Sequence, residues 1–481
     1  MSNLKKNIVY NISYQMLMLI LPIITTPYIS RILGPEGIGI YSYTNSIASY
    51  FVLFAMLGVI NYGNRSIAMI REDKFELSRT FWSIYLLQLL TSILAIIFYI
   101  FYFSFYVKEY QLIVLIQGIY LISAMLDINW FFFGIEQFKL TVTRNVFVRL
   151  ASVCLIFIFV KNSGDLWIYS IIMTGGILIS QIILWGNIRK FIFYVRPKFN
   201  DIYKHLYPSL VLFIPVITIS IYRIMDKIML GSMSSISQVG FYENSDKIIS
   251  IPMGIITALG TVMLPRMSNL VTKGNHELSA KYIRNSMQFV IFLACAITFG
   301  LAGIAPIFVP IFFGTKFLEC SNLIINLSPI IVFVSWANVI RTQYLIPNSK
   351  DKIYIISVLI GAFLNFVINS LLIGKFGAEG AVVGTVVAEM SVALYQTIMV
   401  RKNLEIGLYL KSNFMFIFFG LIMFLIVRGI GNLLNSNLLT LTIEVTVGAI
   451  VYIALSYIYM YKQKSDLIIN FRLKLTGKRN R

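Results

Sequence analysis

Apolar windows of roughly 16 to 25 residues recur along the chain, each closed by a charged stretch or by a Gly, Pro or Asn turn. They begin near Asn7, Ile40, Phe81, Leu112, Val146, Leu166, Ser209, Gly240, Asn285, Ser321, Ile353, Glu379, Phe414 and Leu438. At about 1.5 Å of rise per residue, windows of this length match a hydrocarbon core about 30 Å thick. The pattern predicts an all-α integral membrane protein of about fourteen transmembrane helices. Pro22 and Pro27 in the first window and Pro215 in the seventh leave room for kinks.

Polar residues inside these windows are not scattered. Helix 1 carries Asn7, Asn11, Tyr14, Gln15, Met18, Pro22 and Thr25 at spacings of three and four, so a mostly polar line runs down one face. Helix 2 carries Ser42, Asn45, Ser46 and Ser49 in the same way, beside Tyr41, Tyr43 and Tyr50. Such faces turn toward other helices or toward water rather than lipid.

Residues 37–80 laid over 238–281 reveal an internal repeat. Gly39-Ile40-Tyr41 matches Gly240-Phe241-Tyr242, and Glu76-Leu77-Ser78 matches Glu277-Leu278-Ser279. Leu57-Gly58 matches Leu259-Gly260 one residue out of step, and Arg31 to Gly34 lies over Ile228 to Gly231. Six helices separate the copies, so both enter the membrane from the same side and the expected axis is a pseudo-twofold along the membrane normal. The expected organisation is two six-helix lobes, residues 1–190 and 191–408, then helices 13 and 14 over 409–461 and a basic tail over 462–481. Under the repeat, Ser42, Asn45, Ser46 and Ser49 take the positions of Glu243, Asp246, Lys247 and Ser250. Two such faces would line one central cavity, as alternating access requires.

Composition agrees: 58% of residues are hydrophobic and 12% charged, where soluble domains carry about 25% charged, and the mean hydropathy is +0.81. The net charge of +20 comes from forty Lys and Arg. With a cytoplasmic amino terminus, twenty-nine of them fall in inside segments, six outside, and five (Arg149, Arg223, Lys227, Lys247, Arg341) within spans, which closes the count of forty. The positive-inside rule accounts for the excess, puts both termini in the cytoplasm and removes nucleic acid as a partner. Cys154, Cys295 and Cys320 lie far apart, so no disulfide or metal site is implied. The apolar run after Lys6 exceeds twenty residues, too long for the core of a cleaved signal. The longest connection, from Asn187 to Pro208, leaves no room for a catalytic domain, and an enzyme is not expected.

Ionisable residues at membrane depth each cost about 2.5–3.5 kcal/mol at a helix centre, so they face one another or water. Arg31, Arg223, Lys227, Glu243, Asp246 and Lys247 belong to the outer half, Asp127, Arg149 and Arg341 to the inner half, and Glu389 to the middle of helix 12. Arg223 with Asp226, and Glu243 with Lys247, stand at helical spacings suited to structural pairing, and that alternative stays open. His205 and His276 fall in inside loops. Any proton or sodium coupling would therefore rest on carboxylates, with Asp127, Asp226, Asp246 and Glu389 as candidates.

The first outside hairpin, Ile29-Ser30-Arg31-Ile32-Leu33-Gly34-Pro35-Glu36-Gly37-Ile38-Gly39-Ile40-Tyr41, resembles the polysaccharide-transport flippases known as Wzx-type. So do Phe376-Gly377-Ala378-Glu379-Gly380-Ala381-Val382-Val383-Gly384-Thr385, entering helix 12, and Asp226-Lys227-Ile228-Met229-Leu230-Gly231 in helix 7. The resemblance covers essentially the whole chain. It implies the multidrug/oligosaccharidyl-lipid/polysaccharide exporter fold, residence in the bacterial cytoplasmic membrane, and a substrate of undecaprenyl-pyrophosphate-linked glycan repeat units moved from the inner to the outer leaflet. It implies membrane lipids and glycan polymerase machinery as partners and no cofactor, with coupling to a proton or sodium gradient left open. Arg31 also resembles the arginine of the Ala-Arg-Ile-Phe-Gly stretch in lipid II flippases, although Ser30 and Leu33 replace the alanine and phenylalanine.

On that resemblance the expected substrate-binding residues are Arg31, Asn45, Arg223, Lys227, Asp246, Lys247, Arg149 and Arg341. Asp127, Asp226 and Glu389 are the expected ion-coupling residues. An ion-coupled small-molecule or drug exporter of the same superfamily would share fold, repeat and carboxylates, and stands as the alternative.

Overall fold

The computed structural model describes residues 2–463, with side chains from residue 21 onward apart from residues 215, 219 and 221–223. Of the expected features, the side chains of Asn7, Asn11, Tyr14, Gln15, Met18 and Arg223 and the tail from residue 464 lie outside what is described.

The first helical stretch, Ser2–Met56, leaves the helical region at Gly34 (φ 68°), which separates α1 (2–33) from α2 (35–56). Only glycine adopts that φ without strain, and Pro35 suits the first turn of the next helix. Next come α3 (Lys74–Tyr106), α4 (Gln111–Met125), α5 (Phe138–Phe159), α6 (Leu166–Ile188) and α7 (Leu206–Met233). The rest are α8 (Ile236–Thr272), α9 (His276–Phe312), an interrupted α10 (Glu319–Leu327, Ile330–Ile340 and a π turn Arg341–Leu345), α11 (Asp351–Phe376), α12 (Ala378–Val400), α13 (Ile406–Leu433) and α14 (Leu438–Lys462). Twelve described segments are long and apolar enough to cross a membrane; the first, Leu21–Ile70, holds both α1 and α2, and α7 brings the helices to the expected fourteen.

Several helices begin earlier than the apolar windows do. Helix α3 starts at Lys74 rather than near Phe81, because Asp73 Oδ1 accepts from the amides of Phe75 (2.9 Å) and Glu76 (3.1 Å) and caps it. Helix α5 starts at Phe138 rather than near Val146, which brings Arg144 out of the expected inner loop and into the helix. Hydropathy ends a helix where charge begins, whereas the backbone continues wherever that charge is satisfied.

The chain divides into two compact units, Met1–Gly240 and Phe241–Arg481. In the first, large apolar side chains on α3 stay bare at helical spacing: Leu94, Ile97, Phe101 and Phe105 are each more than half exposed. An apolar face of that length belongs against lipid. The end of this unit where α3 begins is closed by aromatic rings, with Phe81 stacked 5.4 Å from Trp130 and edge-on to Phe131 at 5.0 Å. The connection between α6 and α7 is clasped onto it. Trp82 Nε1 donates to Phe193 O (3.0 Å), Arg79 donates to both Asp201 oxygens (2.8 and 3.3 Å), and Tyr62 Oη meets His205 Nδ1 at 2.6 Å.

The glycines matched by the repeat meet each other in this unit. A Cβ on Gly39 would lie 1.9 Å from Ile236 O, and one on Gly240 would lie 2.0 Å from Pro35 O. Each glycine thus faces the carbonyl four residues before the other, a reciprocal backbone approach that no side chain permits.

In the second unit, α11 and α12 form a close hairpin: Gly380 sits against the Leu372 carbonyl and Gly384 against Asn369 Oδ1. Helix α14 is anchored to α9 by Tyr452 Oη, which donates to Phe292 O at 2.8 Å.

Candidate functional site

Helix α4 ends in a break. Side chains add donors to the carbonyls around it: Gln88 Nε2 donates to Ala124 O (2.8 Å) and Asp127 O (2.9 Å), and Trp185 Nε1 donates to Leu126 O (2.9 Å). Trp130 Nε1 in turn donates to Gln88 Oε1 at 2.9 Å. With the backbone so fixed, Asp127 Oδ1 accepts from Asn129 N (2.8 Å) and Nδ2 (2.6 Å), an Asx turn that starts the short helix Asn129–Gly134.

Arg144, in the second turn of α5, is 6% exposed. Its guanidinium donates to Ser180 O (2.7 Å), Asn129 Oδ1 (2.8 Å), Asn145 Oδ1 (2.7 Å) and, at 3.5 Å, Gln181 Oε1. One charged group thus ties together the α4 break, α5 and α6. Bonds of this kind are about twice as strong as neutral ones, and they turn the side chains of Asn129, Asn145 and Gln181 toward one place.

That place is a cavity of about 240 Å³ between α4, α5 and α6, with Tyr120, Asp127, Asn129, Arg144, Arg149, Ser152, Gly176 and Gln181 in its wall. Two of the expected site residues, Asp127 and Arg149, meet here. Arg144, Asn129, Asn145 and Gln181 were not expected. Arg144 lies among the inner-loop charges by hydropathy, and nothing in the spacing of Asp127, Arg144 and Gln181 brings them together; the Asp127-Ile128-Asn129 turn is the one local signal.

The remaining expected residues lie elsewhere. In the first unit, Arg31 is exposed near the end of α1, Asp226 is 2% exposed in α7 with Lys227 half-buried beside it, and Asn45 Nδ2 donates to Gln117 Oε1 at 3.2 Å. In the second unit, Lys247 Nζ pairs with Glu243 Oε1 at 3.0 Å, the i,i+4 pairing that its spacing allowed. Ser250 Oγ lies 3.5 Å from Asp246 Oδ1, and Glu389 is half-buried in α12. Arg341 Nη2 donates to Asn338 Oδ1 (2.7 Å), and its guanidinium lies 5.3 Å from the centre of the Tyr354 ring. Among the described residues no three His, Cys, Asp or Glu side chains are grouped to hold a metal ion.

In the connection outside the membrane, burial pushes the His205 imidazole down to about 4, helped by nearby Lys204. Asp201 is held below the usual carboxylate range by the Lys198 amide and then by Arg79.

Fourteen helices, lipid-facing apolar surfaces and polar residues held within each unit define a polytopic membrane protein of the transporter type. The fold matches a solved structure of "Lipid II flippase MurJ, inward closed conformation" with a TM-score of 0.78 at 15% identity, covering 95% of this chain and 99% of that one. An inward-facing multidrug MATE family transporter of the MOP superfamily matches with a TM-score of 0.56 at 13% identity, covering 82% and 99%. Over residues 4–271 the sequence matches the polysaccharide biosynthesis protein family, and the chain belongs to that family. It is 24% identical over 406 residues to the protein of Escherichia coli (strain K12) named "Putative O-antigen transporter", covering 83% of this chain and 97% of that protein. It is 27% identical over 160 residues to the lipid II flippase MurJ of Bacillus subtilis (strain 168), which covers 33% of this chain and 29% of that protein.

Proposed function

We propose that this protein is a flippase for lipid-linked glycans. In the finer reading it moves undecaprenyl-pyrophosphate-linked oligosaccharide repeat units from the inner to the outer leaflet of the bacterial cytoplasmic membrane by alternating access, with both termini in the cytoplasm. The observation that carries the reading is the match, over 83% of this chain and 97% of the other, to a relative named as an O-antigen transporter. Physical chemistry supports it: a pyrophosphate with sugars cannot cross hydrocarbon bare, whereas its prenyl tail prefers to stay there. Helices that keep polar residues at membrane depth suit the first need, and bare apolar helix faces such as that of α3 suit the second.

In this reading Arg31, Arg223, Lys227 and Lys247 form the outer part of a cationic tier that holds the pyrophosphate, and Arg149 and Arg341 serve its approach from the inner leaflet. Asn45 and Asp246 contact the glycan, and Asp127, Asp226 and Glu389 are the carboxylates available to a coupling proton or sodium ion. Arginine suits phosphate because its planar fork donates two parallel hydrogen bonds. The test is export in cells: Arg31→Ala and Arg223→Ala abolish glycan export at normal protein abundance, and Arg31→Lys restores part of it. Wild-type export by both alanine variants would make the tier structural.

A further inference from the structure

We infer that the cavity between α4, α5 and α6 binds a phosphate group, with Arg149 as its principal ligand. The inference deepens the reading above, in which Arg149 serves the pyrophosphate's approach, and rests on it for that role and for which side of the membrane is the inner one.

Two arginines and one aspartate line the cavity, so positive charge is in excess in its wall. Arg144 is engaged by the oxygens of Asn129, Asn145 and Ser180. Asp127 is oriented by both nitrogens of Asn129. Arg149 is different: it lines the same cavity, one turn and a half further along α5, and among the described residues it donates no hydrogen bond and forms no ion pair. A guanidinium at membrane depth with no protein acceptor calls for water or an anion.

The space is shaped for a small group. The space, about 240 Å³, has room for one phosphate with some of its hydration. Gly176 keeps it open from the α6 side, where a Cβ would come within 2.8 Å of Ser152 Oγ. Ser152 Oγ now bonds back to Val148 O at 2.9 Å and can rotate toward a ligand, and the Tyr120 ring lies in the same wall. A metal cation is disfavoured by the two guanidinium groups, and an apolar guest by the polar wall. Two parallel donors from Arg149, with hydroxyls beside them, match the oxygens of a phosphate. The phosphate comes either from a soluble ion of the cytosol or from the headgroup of an inner-leaflet lipid.

The test is binding to the purified full chain in dodecyl maltoside, a detergent without phosphate. Inorganic phosphate is titrated at constant ionic strength in one arm, and a short-chain phosphatidylglycerol in the other, each read by calorimetry. Saturable binding in the first arm identifies a soluble source, in the second a headgroup, and either supports the site. Arg149→Gln weakens the binding about ten- to hundred-fold, and Arg149→Lys weakens it less. Asp127→Asn removes the one opposing charge and strengthens it several-fold, so the inference stays testable should Arg149→Gln fold poorly. Absence of binding in both arms, unchanged affinity in Arg149→Gln, or weaker affinity in Asp127→Asn would overturn it. The readout is binding rather than export, so failure here leaves the flippase reading standing, and failure of export leaves this site standing.

Discussion

The interiors of the two units solve one problem in two ways. In the first, a glutamine of α6, Gln181, lies 3.5 Å from an arginine of α5, Arg144, and the polar groups around them open into a cavity. In the second, a glutamine of α12, Gln396, donates to a serine of α11, Ser357, at 2.9 Å, and both are fully buried. Each unit also holds a tryptophan N–H on a neighbouring helix: Trp130 on Gln88, and Trp336 on Thr397 at 2.7 Å. The hydrogen-bonding plan is similar and the charge is not. A serine is satisfied by one amide, and the surrounding helices close over it. A guanidinium needs several oxygens at once, so it gathers polar side chains from three helices, and the assembly retains a polar cavity.

The largest expected effect is at the charged centre. Arg144→Leu removes the charged donor from the oxygens of Asn129, Asn145 and Ser180 and destabilises the first unit by about 3–5 kcal/mol, read as a loss of yield and a lower thermal midpoint in detergent. An unchanged midpoint would mean that water replaces the guanidinium and that the contrast between the units carries little energy.

A second effect depends on pH and lies in the connection between α6 and α7. His205 is clasped neutral against Tyr62, with its folded value at about 4 against an ordinary value of 6.5. The opened state therefore takes up a proton first as pH falls. The stabilisation is complete above about 6.5, declines below that, and is lost by about 4. Between pH 7 and pH 5 the change is about 2 kcal/mol. Hydrogen exchange of the α6–α7 connection should rise across that window in the wild type and stay flat in His205→Gln. Asp201, with its lowered value, contributes nothing to this window, because its stabilisation is lost only at more acid pH.

The smallest effect belongs to the neutral centre. Ser357→Ala removes the acceptor of one Gln396 N–H and costs about 1 kcal/mol. A loss as large as that of Arg144→Leu would erase the distinction drawn between the two units.

Hydropathy and turn residues were enough to place fourteen helices, because lipid imposes the same length and polarity on every span. One match of the expected repeat has a physical counterpart. Gly39 and Gly240 match because their helices approach too closely for any side chain. Helix starts were less readable: Lys74 and Phe138 precede the apolar windows, and caps and satisfied charges, rather than hydropathy, decide them. The cavity was half readable. Asp127 and Arg149 stand out as charges inside spans, but Arg144 reads as a loop residue and Asn129, Asn145 and Gln181 as ordinary polar positions. Their convergence depends on the α4 break, and the carbonyls of that break are held by Gln88 and Trp185, distant in sequence. The Glu243–Lys247 pair shows the converse, since i,i+4 spacing alone identified it.

The most direct test of the central claim is transfer itself. Purified protein is reconstituted into vesicles carrying undecaprenyl-pyrophosphate-linked oligosaccharide in the inner leaflet alone, and the glycan reaching the outer surface is measured by an externally added glycosidase. The flippase account predicts that the glycan becomes cleavable in vesicles containing the wild type and stays protected in those containing Arg31→Ala. Glycan that stays protected in wild-type vesicles while the same vesicles transport a small cationic dye would contradict the account and favour a small-molecule exporter.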